Sequence, residues 1–142
     1  MKVRSTMIFD HIGVFVKELD YGYEQLSKLI DMAHKSEVYN DPLLRVSVQF
    51  CYDQGGLCYE LVAPYGESSP VDPVLKNGSN ILNHVAYKTT QFNASVSKLR
   101  ETGCVPLGTP QPALAFNGAR VIFFLTPLKL IFELIEDESG KV

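Results

Sequence analysis

Hydrophobic and polar positions along this chain follow two periods in turn, and the alternation predicts most of its elements. Residues 8–16, IFDHIGVFV, are rich in Ile, Phe and Val and read as a buried strand. Asp20 is placed to cap the segment that follows, YGYEQLSKLIDM, in which Tyr23, Leu26, Leu29 and Ile30 recur at helical spacing. A weak edge strand is expected near 35–39. Val46, Val48 and Phe50 then alternate with Ser47, Gln49 and Cys51, which is strand periodicity. DQGG at 53–56 is a hairpin-turn signal, and LCYELVA supplies the returning strand.

The second half runs in the same order. A strand over 82–88 leads into the helix FNASVSKLRETG, with Asn93 as cap and Gly103 as stop. A Pro-rich loop, VPLGTPQPALAFNG, takes the place of a clean second strand, and ARVIFFLT–PLKL–IFELIE forms a closing hairpin. The last residues, DESGKV, read as a frayed polar tail. Between the halves, Ser69-Pro70 marks the start of a short helix over about 70–76, which Asn77-Gly78 would end. These elements predict one domain over 1–142, made of a unit at 7–63, a linker at 64–80 and a unit at 81–136.

The two halves are copies at an offset of 73 residues, which carries Leu26 to Leu99, Phe50 to Phe123, Leu61 to Leu134 and Val62 to Ile135. It also carries His11 to His84 and Glu60 to Glu133, so each His precedes its Glu by 49 residues (60 − 11 and 133 − 84). A lone His in an apolar strand is usually structural. A Glu set among Leu, Val and Ile is harder to dismiss, because a carboxylate is rarely buried without a partner. Two such pairs at equal spacing point to a metal site of two imidazoles and two carboxylates: His11, Glu60, His84 and Glu133. That donor set suits a divalent ion such as Mn, Fe, Co, Ni, Zn or Mg in an open, catalytic type of site. If the units pack about a pseudo-two-fold axis, both pairs meet in one cleft. Centring the first turn on DQGG pairs Gln49 with Glu60 and Cys51 with Cys58 on one face, and by the offset pairs Ile122 with Glu133. Gln49 is then a candidate substrate-binding residue. His34 is expected at the surface, and Cys51 and Cys58 as small core residues.

Composition narrows the field. A chain of 142 residues with 46% hydrophobic and 20% charged residues can build a core without covalent staples. A net charge of −3 without any Lys/Arg cluster speaks against a nucleic-acid partner. The three cysteines, Cys51, Cys58 and Cys104, lack Cys-x-x-Cys spacing and read as free thiols of a reducing compartment. Neither a signal peptide nor a membrane-spanning run is legible, so no membrane partner and a cytoplasmic location are expected.

The segments DHIGVFVKELD, ELVAPYGESSPV, LNHVAYK and GARVIFFLTP…FELIE resemble the vicinal oxygen chelate (glyoxalase/bleomycin resistance/dioxygenase) superfamily over about residues 7–136. Within it they look most like methylmalonyl-CoA epimerase-like members. The resemblance implies an α+β fold in which two tandem βαβββ units form a cupped mixed sheet around a central cleft. It also implies that His11, Glu60, His84 and Glu133 ligate one divalent metal. The activity implied is that of a metal-dependent isomerase or lyase acting on a small carbonyl or thioester substrate, epimerase-like, with a metal-stabilised enolate. Glu133 is the first choice as catalytic base and Glu60 the second, since inversion at one carbon needs a base on each side. A homodimer is compatible with the resemblance. Some epimerases carry a second catalytic carboxylate on the third strand of the first unit. Here that stretch is RVSVQF, with Gln49 the nearest polar residue. Two alternatives remain open: a lyase of the glyoxalase I (lactoylglutathione lyase) type, although the stretch after His11, IGVFVKE, lacks that enzyme's Arg, and a non-catalytic small-molecule-binding protein.

Overall fold

The computed structural model describes residues 7–78 and 82–138. The expectations made for the last linker residues and most of the polar tail lie outside these residues. Among the described residues the architecture is α+β, a mixed sheet of nine strands with three α-helices. Contacts divide the described residues into two compact units, one of residues 11–78 with 82–83 and one of residues 7–10 with 84–138.

The first unit contains most of β1 (Met7–Phe15), then α1 (Leu19–Leu29), β2 (Met32–Asp41), β3 (Val46–Asp53), β4 (Cys58–Pro64) and α2 (Val71–Asn77). Its strand order is β2-β3-β4-β1, with β1 parallel to β4 and the other pairs antiparallel. The helix α1 departs from expectation at both ends. Glu18 holds the N-cap position without a side-chain bond, and Asp20 lies in the first turn, where it meets the positive end of the helix dipole instead of capping it. Ile30 is the extended residue after the helix, and Leu29 is 83% exposed. Gly22 is the buried residue of α1, because a Cβ there would stand 2.7 Å from Val16 Cγ1. The expected weak strand at 35–39 is a ten-residue strand with irregularities between Met32 and His34 and between Lys35 and Val38. Its polar sequence hides it, since hydrogen bonds to β3 rather than side-chain burial hold this edge. The linker helix forms one residue later than expected: the Val71 N–H donates to Ser69 Oγ at 3.3 Å, and Gly78 ends it at φ 66°.

The second unit contains β5 (Leu82–Thr89), α3 (Phe92–Glu101), β6 (Val105–Pro106), β7 (Gln111–Pro112), a 3-10 turn at Leu114–Phe116, β8 (Arg120–Leu125) and β9 (Ile131–Glu136). The order is β5-β9-β8-β6, with β7 also on β8 and β5 parallel to β9. The first residues of β1 belong here, where Phe9 meets the Tyr87 ring at 5.5 Å and Asp10 pairs with Lys88 at 3.4 Å. Phe92, Cys104, Ile122, Phe124 and Leu134 form the core. Asn93 is not the cap of α3. It lies inside the helix and accepts a bond from Arg120 Nη2 at 3.3 Å, while Thr89 Oγ1 accepts the Gln91 N–H at 3.1 Å. Gly103 follows α3 at φ 92°, as its role of helix stop requires. The Pro-rich loop keeps two short pieces of strand, both bonded to β8.

Both hairpins are shifted by one residue from the expected register. Phe50, not Gln49, lies opposite Glu60, and Phe123, not Ile122, lies opposite Glu133. The cause is the turn. In the first hairpin the Asp53 N–H donates to Leu57 O (3.1 Å) and the Gly56 N–H to Asp53 O (3.1 Å). In the second the Thr126 N–H donates to Leu130 O (3.0 Å) and the Lys129 N–H to Thr126 O (2.9 Å). Each loop therefore ends on a left-handed residue, Gly56 at φ 88° and Lys129 at φ 65°. A loop of that kind is one residue longer than the two-residue turn that DQGG suggested. A one-residue shift inverts the faces of every side chain it moves.

Candidate metal centre

Each unit carries one buried His–Glu pair. In the first, β1 runs parallel to β4 with Gly13 beside Glu60, so His11, two residues earlier, shares the face of Glu60. His11 Nε2 stands 3.4 Å from Glu60 Oε1, with the residues 0% and 5% exposed. In the second, β5 runs parallel to β9 with Ala86 beside Glu133, and His84 Nε2 stands 3.1 Å from Glu133 Oε1. These residues are 2% and 3% exposed. The small residues Gly13 and Ala86 leave the space beside each Glu to the imidazole.

An aromatic ring completes each pair. Phe50 meets His11 edge-on at 6.0 Å, and Phe123 meets His84 edge-on at 5.1 Å. Sequence reasoning passed over both rings, although their recurrence at the 73-residue offset was visible. The signal needed was the hairpin register, which puts each Phe across from its Glu.

The donor geometry in each pair fits a metal ion. Two donors about 2.0–2.2 Å from one ion, at angles from a right angle to the tetrahedral angle, stand about 2.8–3.6 Å apart. Both Nε2–Oε1 separations fall in that range. All four residues are buried, and each offers one nitrogen or oxygen ligand atom. Imidazole and carboxylate together suit a borderline or hard divalent ion. Burying a carboxylate is costly without a compensating positive charge, which an ion supplies.

The remaining candidates lie elsewhere. Gln49 is on the face of β3 opposite to Phe50, across from Leu61, and its Nε2 donates to Ser36 O at 2.7 Å. The structure does not bring it to Glu60. Cys51 lies across from Tyr59 and Cys58 across from Tyr52, so the expected Cys51–Cys58 cross-strand pair is absent, although both thiols are buried as core residues. Burial pushes the Cys51 thiol up to about 11, with the nearby Cys58 adding to the shift and Lys35 opposing it. His34 is exposed and stacks on Tyr52 at 4.6 Å. No helix among the described residues is long and apolar enough to cross a membrane.

Comparison with known proteins bears on the fold and the family. The ethylmalonyl-CoA/methylmalonyl-CoA epimerase of Cereibacter sphaeroides is 34% identical over 65 residues, 45% of this chain and 48% of that protein. The match thus spans about half the length of this curated relative. Among solved structures, the methylmalonyl-CoA epimerase of Mycobacterium tuberculosis superposes with a TM-score of 0.74 at 22% identity, covering 96% of this chain and 92% of that one. A Streptomyces coelicolor methylmalonyl-CoA epimerase variant (E43L), in complex with 2-nitronate-propionyl-CoA, gives 0.67 at 22% identity, covering 96% and 99%. At these identities the structures establish the glyoxalase-like fold. The family model of the glyoxalase/bleomycin resistance protein/dioxygenase superfamily matches residues 10–123, most of the sequence, and the chain belongs to that superfamily.

Proposed function

We propose that this chain is a metal-dependent, epimerase-like isomerase that moves the proton α to the carbonyl of an acyl thioester, methylmalonyl-CoA or a close relative. The observation that carries the reading is a buried His–Glu pair at donor spacing, at the same strand register in both units. In this reading His11, Glu60, His84 and Glu133 together hold one divalent ion. When bound, that ion supplies positive charge to offset the negative charge that grows on the substrate oxygen as the α-proton leaves. Glu133, ionised, takes the proton at a carboxylate oxygen, and Glu60, starting as the acid, gives its proton to the opposite face of the same carbon, which inverts it. The turnover leaves Glu133 protonated and Glu60 ionised, and proton exchange with solvent resets the pair. The aromatic edges of Phe50 and Phe123 exclude water from the pairs and hold the imidazole planes. The names of the similar proteins support this substrate class.

The test begins with elemental analysis of purified, metal-loaded protein, with one divalent ion per chain expected. Solvent deuterium should then wash into the α-carbon of methylmalonyl-CoA. Two ions per chain would mean that each pair binds alone, and the joint centre would be abandoned. A full complement of metal with no exchange in a panel of acyl-CoA thioesters and 2-oxo compounds would leave a ligand-sequestering protein in its place.

A further inference from the structure

The two His–Glu pairs differ in what covers their aromatic rings. Phe50 is 8% exposed, because Tyr39 from the ten-residue strand β2 packs on it edge-on at 6.1 Å. Tyr39 stands opposite Val48. The equivalent residue of the second unit, Val121, is opposite Gln111 of the two-residue strand β7. Gln111, not an aromatic residue, stands at the place of Tyr39, and Phe123 is only half-buried. Since cross-strand partners share a face, the exposed part of Phe123 opens on the face that carries Glu133. An apolar ring beside a buried carboxylate, left partly exposed, is a surface for the carbon skeleton of a ligand.

We infer that Phe123 is the specificity-determining residue of the site, the wall against which the alkyl substituent on the reacting carbon packs. Phe50, sealed beneath Tyr39, positions His11 and does not meet the ligand. The inference rests on the thioester reading of the site and deepens it by assigning the alkyl subsite to the second unit. Glu133 takes the α-proton, so the substituent on the same carbon lies within reach of the residue directly across the strand pair.

The experiment compares the metal-loaded parent with Phe123→Ala, Phe123→Leu and Phe50→Leu, each checked for metal content. Calorimetry measures binding of propionyl-CoA and butyryl-CoA, whose acyl chains differ by one methylene. Removing the Phe123 ring makes room for the longer chain, so Phe123→Ala should shift the affinity ratio toward butyryl-CoA by about tenfold, the usual worth of a methylene in an apolar pocket. Phe123→Leu should shift it less in the same direction, and it carries the test if the Ala variant does not fold. Phe50→Leu should leave the ratio unchanged. An unmoved ratio in the Phe123 variants, or an equal shift in Phe50→Leu, overturns the inference while leaving the thioester reading intact. A parent that binds neither thioester and exchanges no α-proton refutes the reading, and the inference with it.

Discussion

The two units are most alike where they hold the His–Glu pairs and least alike where they cover them. Gly13 beside Glu60 matches Ala86 beside Glu133, and Phe50 across from Glu60 matches Phe123 across from Glu133, all at the 73-residue offset. Even the turns match hydrogen bond for hydrogen bond. The second strands do not: ten residues in one unit, two fragments of two residues in the other. Inner strands are tied on both sides by register, so a one-residue change there would turn both donors to the wrong face. An edge strand is tied on one side only and can shorten without moving the pairs. Divergence at the edge is therefore the inexpensive way to give two equal pairs unequal surroundings.

The sharpest test of that equality is chemical. Glu133→Gln should lower α-proton exchange by at least about a hundredfold, the lower end of what a positioned base contributes. Glutamine is nearly isosteric but carries neither charge nor basicity, so bound metal must be assayed in the same samples. If the two carboxylates work on opposite faces of the substrate, Glu60→Gln should suffer comparably in epimerisation once metal is restored. Near-normal turnover in metal-loaded Glu133→Gln would remove Glu133 from the mechanism.

The helix contacts offer a second test. Gly22 rests on Val16, and the same two positions in the other unit hold Ser95 and Thr89, whose hydroxyls lie 3.0 Å apart. Gly22→Ser should destabilise the protein by about 1–3 kcal/mol through overpacking against Val16. Adding Val16→Thr should recover part of that loss, because the pair would then copy Thr89–Ser95. Denaturant midpoints measure both, and a strictly additive double mutant would show that the two contacts are not interchangeable.

The turns predict a smaller effect. Lys129 holds φ 65° where its counterpart Gly56 holds φ 88°. Lys129→Gly should stabilise by about 0.5–1 kcal/mol and Gly56→Ala should destabilise by about 1–2 kcal/mol, because a Cβ is costly in the left-handed region. Equal and negligible changes in thermal midpoint would show that the two loops are not under the same constraint.

The last effect shows only in alkali and concerns a thiol of the first unit. Cys51 is raised by burial to about 11, so the folded state keeps its proton where the unfolded chain has lost it. The stability this thiol contributes is full below the unfolded value, near 9, and is lost as pH rises from there toward 11. Cys51→Ala should flatten the alkaline limb of a stability-against-pH curve. An unchanged limb would place the titrating group elsewhere.

Much of this was legible in the amino-acid order. The repeat, the two His–Glu pairs and the order of strand, helix and hairpin all follow from periodicity and spacing, because side-chain burial and helix or strand propensity are local properties. Gly103 and Gly78 announced helix ends, since few other residues take a left-handed conformation cheaply. Asn93 and Asp20 misled, because a capping type of residue marks the neighbourhood of a helix start and not the cap position itself: each stands at the second position of its helix, and neither N-cap makes a side-chain bond. The polar sequence of β2 concealed a full strand whose stability lies in backbone bonds to β3.

Only the tertiary structure decided which residue faces which. DQGG is compatible with two turn lengths, and the choice between them moved Gln49 away from Glu60 and set Phe50 there. The division of β1, with Asp10 paired to Lys88 in one unit and Gly13 beside Glu60 in the other, is likewise invisible along the chain. Sequence records what each residue prefers by itself. Cross-strand register is a property of two segments joined by a particular loop, and it is register that gives each His its Glu and each Glu its ring.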